Sequence, residues 1–152
     1  MSYHTWHDYG YGICVDDIET NEDKVFELVH LAPEFEKKFY EWLDTWREDG
    51  DPESIAEIIT MDEIYEYEDN CDNGLGPIIM NVIKECEGIE LLVCSDYNCY
   101  HYLIFSVTYP WYMTEKEKNM TEEDVRALIA KYVNILTDKP ITIDYQSVEN
   151  GG

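Results

Sequence analysis

The side chains best suited to bind a metal ion gather near the N-terminus. His4, His7, Asp8 and Cys14 fall within one short stretch and offer the nitrogen, oxygen and sulfur ligands that transition metals take. A structural zinc site needs a second pair of ligands at tight spacing, which a His-x-x-His pair alone does not supply. The favoured interpretation is a terminal segment packed by its aromatic residues, and we expect no metal or other cofactor.

A second group that could do chemistry is the pair Asp16 and Asp17, at the end of a predicted strand. Carboxylates in such a place hold Mg²⁺ in phosphoryl-transfer enzymes, but a site of this kind needs further carboxylates from elsewhere in the chain. A strand terminus that faces water is therefore favoured. A divalent-metal-dependent enzyme or sensor that uses these aspartates with His4 and His7 stays open as an alternative.

Patterns for covalent catalysis are missing from the sequence. It contains no Gly-x-Ser-x-Gly motif and no glycine-rich phosphate loop. Cys99 and His101 would share one face of a strand, but that spacing is common by chance and pairs no nucleophile with a base. We therefore expect a protein that is not an enzyme.

Cysteine usage and hydropathy indicate a cytoplasmic protein. The five cysteines are an odd number, scattered along a chain with no signal peptide, so free thiols in a reducing compartment are expected. No apolar run approaches the roughly 18 residues that cross a bilayer, so we expect no membrane insertion.

The most unusual feature of the sequence is its negative charge. The formal net charge is -24 over 152 residues, and the first half is the more acidic, with 22 acids and 4 bases up to Asp72. The acidic segment, which we define as Asp49–Gly74, contains no lysine or arginine. Because this charge repels phosphate backbones and anionic lipids, direct binding to nucleic acid or to a membrane is not expected.

The elements that must position these charges are predicted from the spacing of apolar residues. A strand over Tyr11–Ile18 precedes a helix over Glu22–Leu31. A second helix begins at Pro33, and a third begins with the cap pair Asp51 and Pro52. The inner faces of the second and third helices consist of Phe35, Phe39, Trp42, Leu43, Trp46, Ile55, Ile58 and Ile59.

A fourth helix and a β-hairpin are predicted in the second half. The helix runs from Pro77 to a C-terminal Gly88 in the left-handed conformation. The hairpin joins Ile89–Cys94 to Cys99–Val107, and its near-continuous apolarity favours a central place in the sheet. The inner positions of the helix are Ile79, Val82, Ile83 and Cys86.

A last helix and a last strand complete the predicted fold. Thr121 and Asp124 resemble a capping box at the start of the helix, and Ile141–Tyr145 reads as a strand before the polar tail QSVENGG. The inner positions of this helix are Val125, Leu128, Ile129, Tyr132, Val133 and Leu136. The whole predicts one α+β domain over residues 1–152: a small, mostly antiparallel sheet of N-terminal strand, central hairpin and C-terminal strand, with about five helices packed on it.

The acidic surface is the best candidate site. On the second helix, projection at about 100° per residue places Glu34, Glu41, Asp44 and Glu48 opposite the aromatic face. The candidate binding surface continues through Asp49, Asp51, Glu53, Glu57, Asp62, Glu63, Glu66, Glu68 and Asp69, with Tyr65 and Tyr67 as anchors at its rim. DNA carries one charge per about 1.7 Å of axis, and carboxylates along a helix can imitate that density. A surface that serves only solubility or a high-salt cytoplasm is the alternative.

Both ends of the chain resemble a known group of proteins. The stretches YHTWHDYGYGICVDDI, TYPWYMTEKEKNMTEEDV and PITIDYQSVENGG are similar to a family of small acidic proteins from Firmicutes, their phages and mobile elements. No established activity of that family carries over to particular residues. The resemblance implies a mobile-element context, where acidic anti-CRISPR and anti-restriction proteins occur.

Charge and resemblance together favour a non-enzymatic inhibitor. We expect a phage or mobile-element anti-CRISPR or other DNA mimic that binds the basic channel of a nucleic-acid-handling enzyme, such as a CRISPR effector or a restriction enzyme. The metal-dependent enzyme or sensor is one alternative, and a structural or assembly protein of a phage is another. The sequence leaves the partner and the oligomeric state open.

Overall fold

The structure, a computed structural model, is an antiparallel sheet with helices packed on it. It describes residues 5–47, 60–69, 72–96, 98–106 and 113–151. The sheet consists of β1 (Thr5–Cys14), β4 (Leu92–Ser95), β5 (His101–Ser106) and β6 (Asp144–Gly151), in the order β4-β5-β1-β6. Two short strands, β2 (Glu68–Asp69) and β3 (Asp72–Asn73), pair separately. The predicted α+β class is thus confirmed.

Six helices lie among the described residues, where about five were predicted for the chain. A 3₁₀ turn, Val15–Asp17, directly follows β1. The helices are α1 (Glu22–His30), α2 (Pro33–Arg47), α3 (Met61–Tyr65), α4 (Leu75–Glu87), α5 (Glu115–Lys118) and α6 (Glu122–Leu136). Within these residues, no helix combines the length and apolarity needed to cross a membrane.

One hydrophobic core joins the sheet to α1, α2, α4 and α6. Ile13 of β1 faces Leu103 of β5, which faces Val93 of β4, and this row lies against the helices. The aromatic face predicted for α2 is confirmed, since Phe35, Phe39 and Leu43 are buried and Trp42 packs at the edge of the core. Trp46 lies in the last turn of α2, where only the backbone is described.

The capping box predicted for α6 is present. The Thr121 hydroxyl accepts a hydrogen bond from the Asp124 N–H at 3.1 Å, and the Asp124 carboxylate accepts one from the Thr121 N–H at 3.0 Å. All six predicted inner positions of α6 are buried. The left-handed Gly88 at the end of α4 is also confirmed, with φ of 70°.

The two terminal strands differ from prediction in their bounds: β1 begins earlier than predicted, and β6 begins later. β1 begins at Thr5 and ends at Cys14, so the predicted Tyr11–Ile18 covers only its second half and the 3₁₀ turn. The predicted strand Ile141–Tyr145 is wrong in its bounds, because β6 begins at Asp144 and uses the supposed polar tail. β6 is an edge strand that pairs with β1 through backbone hydrogen bonds, and Val148 is its buried side chain. A strand that buries so little has no clear apolar pattern in its sequence.

Three details of the α4 and hairpin region differ from prediction. α4 begins at Leu75, and Pro77 fits its first turn because an N–H there has no helical partner. Cys86, predicted on the inner face, is exposed and donates to the Leu31 carbonyl at 3.3 Å. β5 is central in the sheet as expected, but β4 is its edge, so the hairpin as a whole is not central.

The third predicted helix lies outside the described residues, since Asp51 to Ile59 belong to a range that is not described. The short helix α3 follows that range with its own N-terminal cap, as the Thr60 hydroxyl accepts from the Glu63 N–H at 3.4 Å.

Candidate functional site

The described part of the acidic segment is held in place by two buried side chains. Ile64, on α3, is 0% exposed, and Tyr67, between α3 and β2, is 7% exposed. Burying one such side chain stabilises the fold by about 1.5–3 kcal/mol, whereas each pair of like charges at helical spacing costs a few tenths of a kcal/mol. These two anchors therefore outweigh the repulsion among the carboxylates around them.

Tyr67 does not stand at the rim of a binding surface, and that prediction is wrong. Its ring centroid lies 5.7 Å from that of Phe35, 5.4 Å from Phe39 and 5.3 Å from Trp42. Burial, together with the charge of Asp69, raises the pKa of Tyr67 to about 12. Tyr65 and Tyr67 lie on either side of Glu66 in an acidic stretch, so the sequence pattern does not indicate which of them faces the core.

Side chains close to Ile64 and Tyr67 in the sequence point toward solvent. Tyr65 is 45% exposed, and Asp62, Glu66 and Glu68 are exposed beside it. Asp69 is half-buried and accepts a hydrogen bond from the Asn81 side chain at 2.8 Å. The described part of the acidic segment thus combines buried anchors with outward carboxylates.

Lysine ion pairs lie away from these outward carboxylates. The described lysine pairs bind Glu19, Glu87, Glu90, Glu115 and Asp138. Glu87 alone contacts two lysines, Lys131 at 3.0 Å and Lys116 at 3.4 Å. The sequence has no lysine or arginine between Arg47 and Lys84, so the bases that could neutralise the acidic segment must come from distant elements.

A cavity of about 280 Å³ opens beside Tyr65. We call it the Tyr65 pocket. Its described lining is Val15, Asp16, Ile18, Tyr65, Asn73, Gly74, Leu75 and His101. Three apolar side chains form part of its wall, and polar groups from four separate elements complete it. No serine, threonine or cysteine belongs to this described lining, and its one hydroxyl is the phenol of Tyr65.

Asp16 and His101 form the polar wall of the Tyr65 pocket. The Asp16 carboxylate accepts the His101 backbone N–H at 2.6 Å and lies 3.2 Å from the ring Nδ1. Because an ionised carboxylate only accepts, Nδ1 carries the proton in this contact, and Nε2 is an acceptor whenever the ring is neutral. Each Asp16 oxygen has one contact in this way and keeps a further lone pair as an acceptor. Within the described part of the chain, no three histidine, cysteine or acidic side chains converge to hold a metal ion.

Several carboxylates act on the groups around the Tyr65 pocket. The pKa of Tyr65 is raised, first by burial and then by the charges of Asp16, Asp62 and Glu22. The pKa of the Asp72 carboxyl is also raised, chiefly by burial, while His101 opposes the shift. Glu22 is fixed there because its carboxylate accepts the N–H of Met61 at 3.1 Å. The pocket therefore lies in a negative field.

The candidate residues of α2 have a different setting. Glu34 and Glu41 are exposed, but Lys37 and Lys38 are exposed on the same helix. Glu34 lies in a cleft with Lys38, Lys84 and Glu85, and its N–H donates to the Glu85 carboxylate at 3.1 Å. This part of α2 presents both signs of charge.

The remaining candidate residues either belong to a described helix or lie outside the described residues. Asp44 lies in the last turn of α2, where only the backbone is described, and Glu63 is half-buried on α3. Of the predicted N-terminal ligands, Asp8 and Cys14 are half-buried, whereas the side chains of His4 and His7 are not described. The candidates outside the described residues are His4, Glu48, Asp49, Asp51, Glu53 and Glu57, and His7 has only its backbone described.

Sequence reasoning missed the Tyr65 pocket as a unit. Local spacing groups Asp16 with Asp17 and the N-terminal histidines, and His101 with Cys99. Asp16 and His101 are 85 positions apart, and Asn73 and Leu75 come from a third stretch, so no local spacing joins them. The one available signal was the position of Asp16 at the end of a strand, where side chains from neighbouring strands meet.

No protein-family model matches the chain, no curated protein matches it, and no solved structure matches it.

Proposed function

We propose that this protein is a non-enzymatic inhibitor that binds the basic channel of a nucleic-acid-handling protein, such as a CRISPR effector or a restriction enzyme. The acidic segment would occupy the place of the nucleic acid, with its carboxylates as phosphate surrogates. The resemblance of both chain ends to acidic proteins of phages and mobile elements is the reason to name this class of partner.

One observation carries the proposal: the acidic segment turns Asp62, Tyr65, Glu66 and Glu68 outward while Ile64 and Tyr67 are buried. Anchoring supports a preorganised surface, because side chains on a fixed backbone lose less entropy when a partner binds.

The charge balance supports the same conclusion. A net charge of about 2–8 in magnitude is enough for the solubility of a small domain, and this chain carries -24. Such an excess destabilises the compact state through self-repulsion. It is expected where a partner of opposite charge is the target, since complementary fields speed association and suppress wrong partners.

Capture followed by DNA displacement tests the proposal. The full chain, tagged, is used to recover proteins from a bacterial lysate treated with nuclease, at about 0.1 M and about 0.5 M salt. Each basic nucleic-acid-binding protein recovered is then purified and bound to labelled DNA. The proposal predicts that adding this protein releases the DNA, and that the release weakens at the higher salt. Recovery of no such protein, or DNA binding unchanged by a saturating amount of the captured chain, would refute it.

A further inference from the structure

The Tyr65 pocket has the size to hold one side chain. Its volume of about 280 Å³ lies just below the range of about 300–1,000 Å³ that is typical of small-molecule sites. Val15, Ile18 and Leu75 supply an apolar wall along which methylene groups can pack. An occupant with an aliphatic stem and a polar end would match this combination.

The charge around the pocket selects a cation for the polar end. Asp16 lies in the wall, and Asp62 and Glu22 lie close enough to act on the Tyr65 ring. An anion would meet these carboxylates unfavourably. The acceptors on offer are the Asp16 oxygens and Nε2 of His101, and the half-exposed Tyr65 presents an aromatic ring beside them.

A guanidinium group uses all of these features at once. It is planar, always charged and carries five N–H donors, and it stacks on aromatic faces more readily than an ammonium does. The three-methylene stem of arginine suits the apolar wall. A lysine would offer a compact, strongly hydrated charge that gains less from the tyrosine ring.

We propose that the Tyr65 pocket receives one arginine side chain of the protein partner, with Tyr65 contacting the guanidinium group and the Asp16–His101 pair accepting its hydrogen bonds. This inference rests on the proposed function for the identity of the partner as a basic protein. It adds a specific anchor to a surface that otherwise recognises charge alone. Insertion of one arginine would fix the register of the complex.

The direct test uses arginine itself as the probe. Backbone amide NMR shifts of the full chain are followed during titration with N-acetyl-arginine amide and, in parallel, with N-acetyl-citrulline amide, which has nearly the same shape and no charge. The inference predicts saturable shifts at residues 15–18, 65, 73–75 and 101, with citrulline at least about fivefold weaker. Equal affinity for citrulline, no saturable shift, or shifts confined to other parts of the surface would overturn it.

Three tyrosine variants separate the pocket from the general surface. Tyr65→Ala should weaken arginine amide binding about fivefold, and Tyr65→Phe, which keeps the ring, should bind within about twofold of the natural protein. Tyr145→Ala is the matched control, because Tyr145 is 53% exposed and does not line the pocket. A loss in Tyr145→Ala as large as in Tyr65→Ala would contradict the assignment.

The outcomes distinguish this inference from the proposed function. If arginine amide fails to bind while the full chain still displaces DNA from a captured protein, the pocket assignment is wrong and the function stands. If arginine amide binds in the pocket while no basic nucleic-acid-binding protein is displaced, the function is wrong and the pocket remains an arginine site.

Discussion

Asp16 contacts His101 twice, through the backbone N–H at 2.6 Å and the ring Nδ1 at 3.2 Å, and so ties the turn after β1 to the first residue of β5. The two residues are neighbours only because β1 and β5 pair antiparallel, with Cys14 opposite Tyr102. This contact fixes the polar wall of the Tyr65 pocket. It is also the part of the site that a single substitution can test.

Removing the Asp16 carboxylate should loosen that wall. Asp16→Ala leaves the His101 N–H without its acceptor and should lower the free energy of unfolding by about 1 kcal/mol. Asp16→Asn keeps one acceptor oxygen and should cost less. Urea unfolding of both variants at neutral pH measures the difference. Equal stability of Asp16→Ala and the natural protein would show that the contact does not hold the pocket together.

A second contact, made by the half-buried Glu87, should make the free energy of unfolding depend on pH. Glu87 accepts the Tyr132 hydroxyl at 2.8 Å and Lys131 at 3.0 Å, and these contacts, led by Lys131, hold the pKa of Glu87 below its ordinary value of 4.5. A carboxyl whose pKa is lowered by folding stabilises the fold above pH about 4.5, and this contribution disappears as the pH falls through the lowered pKa.

Glu87→Gln measures that contribution. At pH about 7 the variant should have a free energy of unfolding about 1 kcal/mol lower than the natural protein, and this gap should narrow as the pH falls through the lowered pKa of Glu87. Glu90→Gln is the control, since Glu90 forms only an exposed pair with Lys84 at 3.6 Å and should change stability little at either pH. A gap for Glu87→Gln that stays constant with pH would contradict the role given to its charge.

The cysteines should differ sharply in reactivity. Burial, followed by the charges of Asp8, Asp72 and Asp96, raises the pKa of the Cys94 thiol to about 12. Because the thiolate is the reactive form, Cys94 should resist alkylation at pH 8, whereas the exposed Cys86 and Cys99 should react first. Iodoacetamide labelling followed by peptide mass spectrometry gives the order. Labelling of Cys94 at the rate of Cys99 would be inconsistent with its environment.

Apolar periodicity was enough to predict the helices that build the core. The inner positions of α6 and the aromatic face of α2 repeat at helical spacing. All six α6 positions are buried, and the described α2 residues of the face are buried or packed at the edge of the core. The buried face of a long amphipathic helix can be predicted because its apolar residues recur at the same helical spacing along the whole helix. The strand β6 was misplaced because an edge strand buries little, and Asp144 to Gly151 contains one apolar side chain in the core of the sheet, Val148.

The candidate site was predictable only in part. Composition located the acidic segment, and no pattern distinguished Tyr65, which is exposed, from Tyr67, which is buried against Phe39. The pocket depends on side chains brought together by strand pairing and by the Glu22 contact to Met61, both of which are long-range. Contacts between residues so far apart in the sequence cannot be predicted from local spacing.

Charge reversal on the acidic segment tests the central claim most directly. Glu66→Lys combined with Glu68→Lys changes two exposed carboxylates of the segment, and Asp144→Lys combined with Glu149→Lys makes the same change of charge at exposed positions of β6. The measurement is the Kd of each double variant for the basic nucleic-acid-binding protein recovered by capture, after thermal melts have shown that both are folded. We predict a loss of at least about tenfold, equivalent to about 1.4 kcal/mol, for the first variant and less than about threefold for the second. Equal losses in the two variants would mean that net charge alone drives binding, and an unchanged Kd in the first would contradict the account.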